Sequence, residues 1–410
     1  MDITFLGTAS AQPSPTRNHS SLAFRPDGSD VWLFDCGEGT QHQMINLMAE
    51  YAQRSLQAPG NTAIITSAPR MAKISRIFLT HLHGDHCFGL PGLLCTASSN
   101  ASSNEADKTN PIHIYGPRGL KAYVRGILSH TQSRIGAGFV LHELLFPDDA
   151  TSTNMDAHID EVPGQDFRSM SLDGSCSPGA AYWMLQEGSS TKFEIIAAPI
   201  PHTVPTVGYL LREPALPGRL NIEAVNPVLQ RNKAALGLRN PLSLLPQLKA
   251  GATLTMPDGT VLSPATCVGP TKPGRVVLLL GDTSDAVATS FVALTVNDEV
   301  DLVVHEATNA CLPSDVASGT TAAEVEAQTR SHGHSTPDMA GAFAKAVGAR
   351  RLVLNHFSSR YRGDGTDESM TIMESIRRLA ADAFGRDDVV CARDFMQVAI
   401  APRISPPATA

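Results

Sequence analysis

Short apolar runs recur along the chain, and five of them finish on histidine or a carboxylate. Ser75-Arg76-Ile77-Phe78-Leu79-Thr80 stops at His81, and Phe193-Glu194-Ile195-Ile196-Ala197-Ala198 leads to His202. Val276-Val277-Leu278-Leu279-Leu280 leads to Asp282, Val300–Val304 to His305 and Glu306, and Arg351–Leu354 to His356. Such β-prone runs, bounded by glycine, proline and polar residues, predict buried strands. Residues 2–6, 31–35 and 112–115 predict further strands, and 40–53, 119–129 and 337–347 predict helices. Ser335 or Thr336 would cap the last helix, with Pro337 in its first turn. Ligands in α/β sheets gather at the carboxyl ends of strands, so the five terminal groups are expected to converge.

The densest of these ends is His81-Leu82-His83-Gly84-Asp85-His86. Three imidazoles and a carboxylate within one turn after a strand can reach a single point. That donor set suits Zn²⁺ and similar borderline cations. Buried imidazoles and carboxylates without partners would be costly, and a bound metal supplies the partner. Asp35, also at a strand end, is either an orienting carboxylate or a turn-stabilising one. His142, in Leu141-His142-Glu143-Leu144, competes with His202 for a ligand role.

Composition narrows the class. An apolar fraction of 42% and a charged fraction of 18% describe a soluble globular chain. The net charge of −8 argues against a globally basic nucleic-acid binder, though not against a local basic patch. Seven scattered cysteines, never in a CxxC pair, suit free thiols in a reducing compartment. No charged n-region and no run of about 18 apolar residues is present, so a cytoplasmic enzyme without a membrane span is expected. Stretches at 54–70, 98–110 and 147–180 are rich in small or polar residues and are expected to be surface insertions. Residues 212–266 differ in character, with prolines interrupting short leucine-rich pieces. From Arg212 to Lys249 six basic residues stand against two acidic ones, a surplus of four. That bias fits either a solvated face or a projection serving a phosphate-rich partner.

The motifs together resemble the metallo-β-lactamase superfamily and, within it, the short form of tRNase Z. The likeness runs from Phe5-Leu6-Gly7-Thr8 to Asp394-Phe395-Met396. It includes Trp32-Leu33-Phe34-Asp35-Cys36-Gly37-Glu38-Gly39-Thr40-Gln41, Thr80–His86 and Gly89-Leu90-Pro91-Gly92-Leu93-Leu94. Gly281-Asp282-Thr283, His305-Glu306-Ala307-Thr308, His334-Ser335-Thr336 and His356-Phe357-Ser358 complete it. The resemblance implies an α/β fold, a four-layer αββα sandwich spanning 1–410, with a protruding tRNA-binding arm at about 212–266. It implies two zinc ions per subunit, one held by His81, His83 and His202, the other by Asp85, His86 and His356, with Asp282 bridging. It further implies removal of the 3′ trailer from precursor tRNA by hydrolysis 3′ of the discriminator nucleotide, leaving a 3′-hydroxyl on the tRNA. Asp85 would double as proton acceptor, His334 would be the general acid and Glu306 would orient it. Arg231, Lys233, Arg239 and Lys249 of the arm and Arg17 of the Pro15-Thr16-Arg17-Asn18 loop would bind substrate. A homodimer is implied as well.

The arm departs from the family pattern. Its usual Gly-Pro-centred run is replaced by Leu238-Arg239-Asn240-Pro241-Leu242-Ser243-Leu244-Leu245-Pro246-Gln247-Leu248-Lys249-Ala250-Gly251. Competing readings are a phosphodiesterase or arylsulfatase of the same fold acting on small molecules, or a non-catalytic RNA-binding relative. The first needs no basic arm, and the second would lack ligands, of which none is missing here.

Overall fold

A computed structural model of the protein describes residues 1–26, 28, 30–57, 68–97, 110–151, 155–175, 177–185, 192–215 and 218–403. Of the expected insertions, 58–67 and 98–109 lie outside the described residues, as do 152–154 and 176 within 147–180. The chain divides into two compact units. The larger holds Met1–Gly188, Glu194–Leu211 and Val276–Ile400, and the smaller is built on Arg212–Arg275.

In the larger unit the chain forms β1 (Asp2–Gly7), β2 (Ser21–Arg25), β3 (Val31–Phe34), β4 (Ile74–Phe78), β5 (Ile112–Pro117), β6 (Phe139–Leu145) and β7 (Phe167–Arg168). It continues through β8 (Met170–Ser171), β9 (Ala181–Met184), β10 (Glu194–Ile200) and β11 (Thr206–Arg212). The smaller unit contributes β12 (Leu254–Thr255) and β13 (Val261–Leu262). The larger unit then adds β14 (Val276–Leu279), β15 (Leu302–Glu306), β16 (Leu352–Asn355), β17 (Val389–Cys391) and β18 (Gln397–Ala399). Two eight-stranded sheets result, ordered β18-β1-β2-β3-β4-β5-β6-β7 and β17-β16-β15-β14-β11-β10-β9-β8.

Alternation along the strands turns each sheet into a two-faced layer. In β4, Phe78 points at the opposite sheet. It stacks on Phe34 and Tyr115 at 4.8 and 4.9 Å and meets the edge of Tyr209, from β11, at 5.2 Å. Its neighbours Ile77 and Leu79 face outward, onto Leu47, Leu93 and Val124 of the helices Thr40–Gln57, Leu90–Ala97 and Leu120–Thr131. The second sheet does the same with Val303, Leu352 and Leu354, which pack on Phe343, Ile376 and Phe384 of Pro337–Ala346 and Asp367–Phe384. Helix, sheet, sheet, helix is the four-layer αββα arrangement. The hydroxyl of Tyr209 donates to the Leu79 carbonyl at 2.7 Å and ties the sheets together just where β4 gives way to the metal motif.

Parallel pairing aligns the strand ends. β3 through β7 run parallel, as do β14 through β17, with Glu306 opposite Asn355 in register. His81, Asp282, Glu306 and His356 therefore leave their strands toward the same edge. Cys87 is buried with its thiol pushed up to about 11 by desolvation, which fits a packing residue. No disulfide occurs among the described residues, whose cysteines at 36, 87, 95, 267, 311 and 391 are free. No helix among them is long and apolar enough to cross a membrane.

The smaller unit has its own core. In the helix Ile222–Leu236, Val225, Leu229 and Asn232 recur at helical spacing and are buried. Val225 and Leu229 meet Leu220, Leu248, Met256, Leu262 and Cys267.

Candidate metal centre

Two groups of donors meet at the strand ends. His81 Nε2 lies 3.1 Å from His83 Nδ1, which lies 3.2 Å from His202 Nε2. Beside them, His86 Nε2 lies 3.1 Å from His356 Nε2, and Asp85 Oδ2 is 3.5 and 3.4 Å from these two nitrogens. Asp282 stands between the groups: Oδ2 is 3.4 Å from His86 and 3.8 Å from His81, and Oδ1 is 3.4 Å from His356. The ligand atoms of each group lie within 4.8 Å of one another. A tetrahedral zinc with bonds of about 2.0–2.1 Å keeps its ligand atoms roughly 3.3 Å apart, so these spacings are those of ligands around a cation.

Hydrogen bonds from behind fix which nitrogen faces inward. His86 Nδ1 donates to Asp35 Oδ2 at 2.7 Å. His81 Nδ1 donates to the Thr80 hydroxyl at 3.0 Å, which in turn donates to Asp35 Oδ2 at 3.0 Å. His202 Nδ1 donates to the Gly333 carbonyl at 2.7 Å, and His356 Nδ1 lies 3.2 Å from the Thr308 hydroxyl. The Nδ1 atoms of these four rings are thus spoken for, which turns their Nε2 atoms inward, where His83 presents its Nδ1. Ring nitrogens 3.1 to 3.2 Å apart within each group are spaced as ligands of one cation. The residues fit bound zinc.

Electrostatics point the same way. Burial opposes charge on Asp282, yet His356 and His86 hold it well below the usual carboxylate range. Asp85 is likewise drawn down by His356 and His86 against its burial. Burial works against a proton on His86, but Asp282 and Asp35 hold it well above the ordinary value. His81, whose desolvation dominates, is kept neutral. The carboxylates call for positive charge at this point. Asp35 and His356 also sit at φ 60° and 55°, in left-handed backbone that non-glycine residues rarely adopt. Such conformations cost about 1–3 kcal/mol and cluster at functional sites.

His334 lies at the edge of the cluster, after the helix Ala322–Ser331. Its Nδ1 is 3.1 Å from Glu306 Oε1 and 3.8 Å from Asp282 Oδ2. Although burial disfavours its charge, Glu306 and then Asp282 raise its pKa to about 9. Glu306 is itself fixed by the Thr283 amide at 2.7 Å and the Thr308 hydroxyl at 2.5 Å. A pocket of about 530 Å³ opens over His83, Asp85, Asp282 and His334. His19, Glu38 and the exposed ring of Phe88 also line it, and none of the three stands out in the sequence as a site residue.

Of the two histidines competing for one ligand place, His202 is with the donors and His142 is not, whereas Arg17 lies elsewhere than the sequence suggests. His142 sits in β6, stacked on Tyr115 at 4.6 Å and bonded to the Gln165 carbonyl at 2.7 Å, apart from the donor groups that include His202. Arg17 is no surface ligand. It is 2% exposed, donates to the carbonyls of Tyr361 and Ala392 at 2.8 and 2.9 Å and to Thr8, and lies over the Phe357 ring. An arginine in a proline-punctuated loop reads as exposed, but here it is an internal strut. In the smaller unit Arg231 pairs with Asp258 at 2.8 Å, while Lys233, Arg239 and Lys249 are exposed.

Comparison with known proteins finds full-length relatives. The chain is 35% identical over 409 residues to the mouse zinc phosphodiesterase ELAC protein 1, covering 98% of each. It is 33% identical over 365 residues to a ribonuclease Z of Limosilactobacillus reuteri, covering 88% of this chain and 90% of that one. Among solved structures, the short form of human tRNase Z superposes with a TM-score of 0.55 at 27% identity, over 98% of this chain and 100% of that chain. No protein-family model matches the chain.

Proposed function

The chain belongs to the ribonuclease Z family, and on that premise we propose that it removes the 3′ trailer from precursor tRNA. It is a zinc-dependent endoribonuclease, cutting the phosphodiester 3′ of the discriminator nucleotide and leaving a 3′-hydroxyl on the tRNA. The observation that carries this reading is the meeting of two donor groups at Asp282, with the His334–Glu306 pair on the same pocket.

His81, His83 and His202 would hold one zinc of each subunit, Asp85, His86 and His356 the other, and Asp282 both. When bound, the ions supply Lewis-acid stabilisation of the charge that develops on the phosphoryl oxygens. The chain's own groups handle protons and position. Asp85, with Oδ2 pinned by the Ala11 amide at 2.8 Å, orients the attacking water and accepts its proton. A carboxylate held that acidic passes the proton on rather than storing it. His334 gives its Nε2 proton to the departing 3′-oxygen, while Glu306 holds Nδ1 and keeps the ring charged near neutral pH. Lys233, Arg239 and Lys249 in the smaller unit would contact tRNA phosphates, and the working form would be a homodimer.

Two measurements test this. Metal analysis of the purified protein should give two zincs per subunit, and one or none would remove the shared-Asp282 scheme. Product analysis should give a 3′-hydroxyl tRNA and a 5′-phosphorylated trailer, and the opposite polarity would contradict the role of His334.

A further inference from the structure

His19 is 8% exposed and lines the pocket beside Asp85, yet its imidazole has no hydrogen bond or ion pair among the described residues. Its backbone is held on two sides. A Cβ at Gly7 would lie 1.7 Å from the His19 carbonyl oxygen, and one at Gly37 would lie 2.6 Å from the His19 Cβ. Only glycine permits both approaches. Ala9 bridges His19, and the preceding Asn18 is fixed through its amide to Asp394 at 2.7 Å and its side chain to the Glu38 carbonyl at 2.9 Å. The chain therefore spends two glycines and a clamped asparagine to immobilise a histidine whose polar atoms the protein does not use. An imidazole offers a donor and an acceptor, and in the pocket wall both are open to a ligand.

We propose that His19 is a substrate-binding residue that hydrogen-bonds the nucleotide on the trailer side of the scissile phosphate. This rests on the reading of the site as a precursor-tRNA nuclease. The side follows from in-line geometry. His334 serves the departing 3′-oxygen, so the tRNA-side nucleoside lies toward His334. The water oriented by Asp85 enters opposite, and the retained 5′-oxygen of the trailer lies in the equatorial plane, so the trailer nucleoside leaves phosphorus away from the departing oxygen that His334 serves. The same virtual Cβ of Gly37 that meets His19 lies 2.2 Å from the Asp85 carbonyl oxygen, which places His19 on the Asp85 side. The nucleoside that stays bonded to phosphorus is the first of the trailer, and His19 is the free polar group that meets it.

The test compares wild type with His19→Ala and His19→Gln. Zinc content is checked first. Binding of a 5′-phosphorylated oligoribonucleotide, the chemical form of the released trailer, is then measured. One lost hydrogen bond is expected to weaken it about tenfold in His19→Ala, with most of the loss recovered in His19→Gln. On precursor tRNA the change should fall mainly in KM. The loss on thymidine 5′-(p-nitrophenyl) phosphate, which carries a trailer-side nucleoside, should exceed that on bis(p-nitrophenyl) phosphate by a similar factor. Equal oligonucleotide binding by wild type and His19→Ala would overturn the proposal, as would losses accompanied by missing zinc. A wild type that cleaves both diesters but not precursor tRNA would defeat the nuclease reading instead, and the comparison of the two diesters would still decide for or against His19.

Discussion

Asp35 serves two histidines at once. One of its oxygens accepts from His86 directly and from His81 through Thr80, so its loss frees one ring in each donor group. Asp35→Ala should weaken zinc binding by about 10–100-fold, the usual cost of removing such a support, as measured by competition with a chromophoric chelator. His334→Ala should keep both metals yet slow cleavage by about 10²–10⁴, the scale of general acid help. Turnover near wild type would remove His334 from the mechanism. His142 offers a pH test away from the site. Its burial, reinforced by His113, depresses its pKa from 6.5 to about 4. The unfolded chain therefore binds the extra proton between those values. The fold keeps this contribution above pH 6.5 and loses it as pH falls toward about 4, on the order of 3 kcal/mol in all. Melting temperatures should drop more steeply across that window for wild type than for His142→Gln, and His142→Ala should leave zinc content unchanged. Sequence alone makes the donors legible, because histidine and aspartate crowd at strand ends. It does not reveal that Gly333 supplies a carbonyl to His202 or that Arg17 turns inward, since both depend on packing between segments more than a hundred residues apart.

At the scale of elements, apolar runs locate β4, β10, β14, β15 and β16 to within a few residues; candidate ligands lie just past β4, β10, β14 and β16, and Glu306 ends β15. β2 escapes the reading because only Leu22, Ala23 and Phe24 stand between Ser21 and Arg25, too short an apolar run to mark a buried strand. The helix Asp367–Phe384 escapes it too, although Thr366 caps it and Gly385, at φ 74°, ends it. The helix Pro337–Ala346 takes its cap from Thr336, whose hydroxyl faces the Met339 amide. In the smaller unit, deletion of 220–250 would strip Val225, Leu229 and Leu248 from a shared core. Charge reversal is the cleaner probe. Replacing Lys233, Arg239 and Lys249 together by Glu should lower kcat/KM for precursor tRNA far more than for bis(p-nitrophenyl) phosphate. It should also flatten the salt dependence, because each lost phosphate contact removes part of the counterion release. Parallel losses on both substrates would assign the segment a folding role.

For the molecule as a whole, the two sheets act as a rigid frame whose parallel strand ends bring together residues from 35 to 356 in sequence. That frame holds carboxylates and imidazoles at the spacing of metal ligands, so zinc should stabilise the native state by mass action. Chelation should lower the melting temperature and added zinc should restore it. A metal centre of this kind should cut precursor tRNA at one place. The most direct test is cleavage of an end-labelled precursor tRNA before and after chelation. A single product ending at the discriminator nucleotide is expected, lost with chelator and regained with zinc. A ladder of shortened trailers, or a cut that persists in the metal-free protein, would contradict that expectation.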